Sequence, residues 1–309
     1  MSPFRRYLLQ RSVASIVTLL GVSAIVFLMV RLLPGYPARV IAGLLASEED
    51  VQRLRADLGL DRPLHVQYGI FLARLVRGDL GRSARTSAPV LEELAPRLGA
   101  TLRLALVSAT LAAAHGMLAG TVAATRPYSA FDYLLSLTTL FGVSMPVYWL
   151  GIMLIIVFAI WLNWLPAAGA EDLRSVVLPA LTLAAFSVAL IARMTRASML
   201  EVLGQDYVRT ARAKGVDEAR IVARHALRNA LIPVITVVGL QFGSLLGGAV
   251  LTESVFGWPG MGLLLVESIS SRDYAVVQGI VLVFSSLFIL VNLGVDLLYA
   301  VIDPRIHYA

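Results

Sequence analysis

Few residues in this 309-residue chain have the types and spacing that could do chemistry. Gly142-Val143-Ser144 and His115 resemble the halves of a Ser-His dyad, in which a histidine takes the proton of a nucleophilic hydroxyl. Met145 stands where the glycine after such a serine belongs, and neither an HExxH zinc helix nor a paired intramembrane aspartate motif occurs, so little else supports an intramembrane protease. There is no cysteine, which excludes disulfides, iron–sulfur clusters and thiolate metal sites. The four histidines, His65, His115, His225 and His307, lie too far apart in sequence for a local metal motif. A Walker A loop needs lysine before Ser or Thr, and the single lysine, Lys214, precedes Gly215.

A richer pattern fills 206–233, which reads DYVRTARAKGVDEARIVARHALRNALIP. Asp206 can cap a short helix carrying Tyr207, Val208, Ala211 and Ala213, which ends at Lys214 with Gly215 as a left-handed stop. Asp217 and Glu218 then open a second helix in which Arg220, Arg224 and Arg228 recur every four residues, a basic stripe that Pro233 terminates at the bilayer. Two short helices joined by a glycine elbow make a good shape for docking into a groove of another protein, because Ala and Gly allow close backbone approach. A basic loop that only fixes topology and touches anionic head groups accounts for the same residues.

These residues need elements to hold them, and composition says what kind. Apolar residues are 58% of the chain and charged residues 15%, with a mean hydropathy of +0.79. Such a balance excludes disorder, a nucleic-acid-binding domain and an ordinary soluble enzyme, and points to a polytopic membrane protein. Residues 12–30 run without a charge, long enough to cross the ~30 Å of hydrocarbon as a helix. Arg5, Arg6 and Arg11 precede this stretch, and no small-residue cleavage site follows it, so it reads as an uncleaved anchor. Further apolar stretches at about 99–125, 134–162, 176–192, 231–251 and 274–301 bring the spans to six.

The net charge of +6 comes from 25 arginines and Lys214, and its distribution sets orientation. Segment 193–230 has eight basic residues against four acidic ones, whereas 163–175 and 252–273 have one basic residue each. Six spans with both termini inside satisfy these counts, and Trp161 and Trp164 then fall at the outer end of the third span. The connection 31–97 reads as an external cap: Ser47 and Asp50 resemble a capping box ahead of Val51, Leu54 and Leu58, and a second helix runs from about Leu64 to Val76 and stops at Gly78. Inside the spans, His115, Gln241 and Asn292 are candidates to line a solute path, with helix-to-helix hydrogen bonding the competing use. Asp296, with Asp303 and Arg305, is expected to pair with the arginines of the cytoplasmic loop. Pro146 and Pro179 are expected to loosen backbone hydrogen bonds within the third and fourth spans.

The loop at 206–233 resembles the EAA loop of the membrane subunits of ATP-binding-cassette importers, and TARAKG followed by RHALRNALIP is similar to the dipeptide/oligopeptide permease family. RRYLLQRSVASIVTLLGVSAIVFLMVRLLPG, LGLDRPLHVQYGIFLARLVRGDLGRS, FGWPGMGLLLVESISSRDYAVVQGIVLV and VNLGVDLLYAVIDPR extend the resemblance to the B-type permease of that family over nearly the whole chain. Arg209 stands where the acidic residue that names the EAA motif would be, as is usual for the peptide subfamily, and the outer PGDPA pattern reads PGYPA with Tyr36.

The resemblance implies an all-α, type I importer permease fold of six transmembrane helices in the cytoplasmic membrane of a prokaryote. Its parts are a tail and first helix over 1–30, an external cap over 31–97, and a permease core over 98–309 with the coupling loop at 193–230. It implies that 206–217 includes the helix that couples to an ATPase, with Tyr207, Thr210, Ala211, Ala213 and Gly215 forming its packing face and elbow and Asp206, Arg209, Lys214 and Asp217 also among the coupling residues. The implied partners are a second, homologous permease, two ABC ATPase subunits that bind the ATP and magnesium, an external solute-binding protein and membrane lipid. No nucleic acid and no cofactor in this chain are expected. The competing function classes are a stand-alone channel or secondary transporter, which would move solute without ATP, and the Ser-His protease.

Overall fold

The computed structural model describes residues 3–32, 47, 49, 52 and 61–302. Helix α1 (Pro3–Leu32) is followed by α2 (Leu64–Val76), α3 (Val90–Thr125), α4 (Ala130–Ser144) and α5 (Val147–Leu154), which continues as a π-helical stretch through Ile155–Trp161. Then come α6 (Val177–Leu203), α7 (Asp206–Ala213) and α8 (Glu218–Arg220), which leads through a π-helical stretch (Ile221–Ala226) into α9 (Leu227–Phe256). Helices α10 (Met261–Ser270) and α11 (Tyr274–Ile302) complete the chain. The fold is all-α, and five continuous helices are long and apolar enough to cross a membrane: Leu8–Arg31, Val90–Thr125, Val177–Leu203, Glu218–Phe256 and Tyr274–Leu297.

The sixth span is broken. Helices α4 and α5 meet at 109°, so the stretch expected as one helix over 134–162 is a bent pair. Proline explains the break: it lacks the N–H that would continue the ladder and pushes the residue before it out of the α region. Met145 and Pro146 accordingly take extended ψ angles of 133° and 131°. Pro179 does not loosen its span as expected, because it lies in the first turn of α6, where backbone N–H groups have no helical partner anyway. Pro233 does not end the helix either; α9 continues through it to Phe256. The second span also begins earlier than 99, with α3 starting at Val90.

Helices α3 and α6 form the spine of the bundle. Ser108, Ala112, Gly116, Gly120 and Ala124 recur every fourth residue on the buried side of α3. Lipid offers apolar side chains as good a home as protein does, so association relies on small residues that let backbones close in. The approach is tight: a Cβ on Gly120 would sit 2.4 Å from the Ala192 carbonyl oxygen, and one on Gly116 would sit 2.7 Å from Ile191 Cγ2. Four buried clusters are stacked along this spine. Val90, Leu94, Met261 and Ile280 meet at the α10 end. Leu104, Leu183, Leu245 and Trp258 form the next layer, then Ala112, Ile191 and Val234. Ala124, Met199, Ala226 and Ala230 close the α7 end.

Polar clasps fix the remaining elements to this spine. Asp132 is buried and accepts from Arg196 Nε (2.5 Å) and Nη2 (2.7 Å), tying α4 to α6. Arg11 pairs with Asp296 at 3.3 Å, so α1 is joined to α11 and Asp296 does not serve the loop arginines as expected. Helix α2 has the bounds read from sequence, and its stop carries the paired hydrogen bonds Gly78 N to Leu75 O and Asp79 N to Arg74 O, with Gly78 at φ +77°. Asp50 of the expected capping box, the helix face of Val51, Leu54 and Leu58, and the readings on Tyr36, Asp303 and Arg305 lie outside the described residues.

Candidate functional site

Helix α7 is built by its ends. Gln205, in extended conformation at ψ 150°, occupies the N-cap position that sequence assigns to Asp206. Asp206 is the first helical residue instead, where its charge favours the helix N-terminus, and it lies 3.5 Å from Arg209. At the other end Gly215 has φ +76°, its N–H bonds to Arg212 O (2.9 Å), and the Val216 N–H bonds to Ala211 O (3.2 Å). This pair of bonds is the left-handed helix stop, and it needs a residue without Cβ strain at its turning point. Asp217 then caps the following helix, accepting from Ala219 N (3.1 Å) and Arg220 N (3.4 Å).

Three contacts that sequence reading did not find hold the elbow in place. Arg212 crosses it to Glu218 with two hydrogen bonds, Nε to Oε2 at 3.0 Å and Nη2 to Oε1 at 2.6 Å. The bond to Glu218 raises the Arg212 guanidinium above its ordinary pKa. Tyr207 accepts from Asn229 Nδ2 at 2.8 Å, which fastens α7 to the start of α9. Val208 is fully buried and anchors the inner side. The opposite charges six positions apart across a glycine were the available signal for the first contact; nothing local marks Asn229.

With Val208 turned inward and Ala211 half-buried, Tyr207, Arg209, Thr210, Ala213 and Lys214 are exposed. The helix therefore leaves one side uncovered by its own chain. Arg220, Arg224 and Arg228 are exposed as well, while Ile221 and Ala226, five apart, are buried together. The π-helical stretch between them accounts for that spacing, since its hydrogen bonds span five residues.

Among the described residues no hydrogen bond joins the candidate path residues to one another. His115 is exposed on α3, and its Nδ1 lies 2.9 Å from the Leu111 carbonyl of its own helix. Gln241 accepts from Ser187 at 3.1 Å, a bond between α9 and α6 of the helix-to-helix kind. Asn292 is half-buried on α11. Ser144 ends α4, and no hydrogen bond joins it to His115 among the described residues. No cluster of three or more His, Asp or Glu side chains that could hold a metal occurs among the described residues either.

At the opposite end of the bundle, Glu253 is fully buried and organises a second turn. It accepts from Thr101 Oγ1 (2.6 Å), Gly262 N (2.6 Å) and Leu263 N (3.2 Å), and Thr101 in turn accepts from Met261 N (2.9 Å). A carboxylate here meets the free N–H groups at the start of α10. A Cβ on Gly260 would run into that carboxylate, so a larger residue here would displace Glu253 from the N–H groups it accepts from. Trp258 completes it, donating from Nε1 to the Ala100 carbonyl at 3.0 Å.

The model of the binding-protein-dependent transport system inner membrane component matches residues 116–308, and the model of the N-terminal part of such membrane components matches residues 4–105. The chain belongs to this binding-protein-dependent transport family. The glutathione transport system permease protein GsiC of Escherichia coli K12 is 48% identical over 302 residues, covering 98% of this chain and 99% of that protein. The dipeptide transport system permease protein DppB of Alkalihalophilus pseudofirmus is 44% identical over 330 residues, with coverage of 98% and 99%. The inward-facing MetNI methionine ABC transporter shares the fold, with a TM-score of 0.60 at 19% identity over 71% of this chain and 100% of that one. This member of the transport family is thus a multi-pass inner-membrane permease subunit of an ABC importer, a transport component and not an enzyme.

Proposed function

We propose that this chain is one of two different permeases in an ATP-driven importer of short peptides, and that α7 is the element through which it responds to the ATPases. The observation that carries the reading is the α7 elbow: a short helix held rigidly from behind by Val208, the Tyr207–Asn229 bond and the Arg212–Glu218 bridge, with its other side uncovered. A helix so held transmits force in both directions, as a part linking nucleotide state to two arrangements of a bundle must. Asp206, Tyr207, Arg209, Thr210, Ala211, Ala213, Lys214, Gly215 and Asp217 are the proposed coupling residues. The peptide class of cargo is supported by relatives named for glutathione and for dipeptides that match from end to end.

In this reading both termini and the α7 end face the cytoplasm of a prokaryote, and the α10 end faces outward. Residues 31–97 form the external cap and 98–309 the core. The second permease completes the pathway, an external solute-binding protein delivers cargo, and two separate ATPase subunits bind ATP and magnesium. His115, Gln241 and Asn292 are the proposed polar groups near the path. The test is reconstitution in lipid: this chain alone should neither hydrolyse ATP nor move glutathione or dipeptides, and both activities should appear with the second permease, the ATPases and the binding protein. ATP-independent peptide flux through the lone chain would overturn the reading in favour of a channel.

A further inference from the structure

A cavity of about 600 Å³ opens at the α10 end, between α1, α2, the segment 79–87 and the start of α11. Among the described residues four arginines line it, Arg31, Arg74, Arg82 and Arg272, with one carboxylate, Asp79. Arg31 is half-buried with its guanidinium 3.6 Å over the Phe27 ring, and donates from Nε to Gln67 Oε1 (2.8 Å) and from Nη1 to the Phe27 carbonyl (3.2 Å). Arg82 donates from Nη1 to the Ser87 carbonyl at 2.9 Å. Among the described residues none of the four forms an ion pair. Four guanidinium groups gathered around one cavity, none of them ion-paired among the described residues, make a positive concavity, and their planar forks suit an oxyanion.

The height of the cavity and its walls distinguish among anions. Arg31 closes the apolar span Leu8–Arg31, and Tyr274 opens the span Tyr274–Leu297, so the cavity lies at the level of lipid head groups. Its other walls combine the apolar Val30, Ile70, Phe71 and Leu80 with the polar Gln67, Ser83, Ser87 and Gln278. A small soluble anion would use the arginines and leave the apolar walls wet. An anionic phospholipid uses both: the phosphate oxyanion meets the guanidinium groups while the glycerol and first methylenes cover the apolar side.

We propose that this cavity is a binding site for the phosphate head group of an anionic phospholipid, held by Arg31, Arg74, Arg82 and Arg272. On the orientation argued above the lipid belongs to the outer leaflet and locks α2 and the 79–87 segment onto α1 and α11. The inference needs only that the chain spans a membrane, and it stands whatever the cargo.

The experiment uses the full chain purified in detergent and native mass spectrometry with phosphatidylglycerol, phosphatidylcholine, inorganic phosphate and glutathione as probes. Phosphatidylglycerol should remain bound and phosphatidylcholine should not. The double variant Arg74→Gln/Arg272→Gln should bind phosphatidylglycerol about a hundredfold more weakly, each of the two lost charge-assisted contacts counting for about tenfold. Both residues are exposed and make no side-chain hydrogen bond among the described residues, so the melting temperature should be unchanged. If the double variant melts early, Arg74→Gln alone gives the same reading at a position on α2. Undiminished phosphatidylglycerol binding by either folded variant would overturn the proposal. So would displacement of the lipid by equimolar inorganic phosphate or glutathione, which would make the cavity a site for soluble anions.

Discussion

Glu253 shows how much a single buried group organises here. Its carboxylate accepts from one hydroxyl and two backbone N–H groups, two of these bonds buried and the one from Leu263 part-buried. Glu253→Ala should strand all three donors, and a stranded buried donor costs about 1–3 kcal/mol. Glu253→Gln keeps an acceptor oxygen and should lose less. Thermal unfolding of the purified chain checks this: the alanine variant should melt several degrees below wild type and the glutamine variant between them, whereas equal melting temperatures would mean that α10 is held by its apolar contacts alone. Gly120 makes the complementary case, where nothing can be added. The Ala192 carbonyl lies 2.4 Å from the place a Cβ would take, so Gly120→Val must push α3 and α6 apart, and overpacking of this kind costs about 1–3 kcal/mol or more. Crosslinking or melting measurements should report a loosened helix pair, and wild-type stability would show that the spine yields more easily than its packing implies.

At the scale of elements, α7 separates two ways of failing. Gly215→Val asks a β-branched residue to hold φ +76°, which is sterically disfavoured, so the elbow should open and carry Tyr207 and Ala211 out of place. Ala211→Glu leaves the elbow intact and puts bulk and charge on the helix. Both variants should reach the membrane in normal amounts and lose ATPase co-purification or peptide uptake; normal uptake in both would make the segment a topology anchor only. The elbow itself was legible in sequence, because a glycine stop and the aspartate cap at position 217 are local chemistry read from neighbouring residues. The spans were legible for the same reason, since hydropathy is a sum over a window. What sequence concealed was set by distance or by competition. The Tyr207–Asn229 and Asp132–Arg196 bonds join residues far apart in the chain, and no spacing announces them. The role of each proline depended on where its helix began: Pro146 breaks a span, Pro179 starts one, and Pro233 is absorbed within one.

For the molecule as a whole, the proposed orientation makes a direct prediction, helped by the absence of native cysteine. Ser87 lies in the segment beside α10 and Glu218 at the elbow beside α7, so the two are at opposite ends of the bundle. A single Cys at Ser87 should react with an impermeant thiol reagent from outside, and one at Glu218 only after the membrane is opened. The reverse pattern would invert the topology and place the α7 side away from any ATP-driven partner. The clasp between the first and last spans has a different kind of consequence, one of timing. Helix α1 packs chiefly on α11 and is bonded to it through Arg11 and Asp296, yet α11 begins 242 positions after α1 ends (274 minus 32). At a synthesis rate of about 5–20 residues per second, α1 waits roughly 10–50 s in the lipid before its partner is made. During that interval the inner face of α1 rests against acyl chains, whereas α3 and α6 can pack as soon as both have emerged, so the spine forms first and the first span is drawn in by the last to be made.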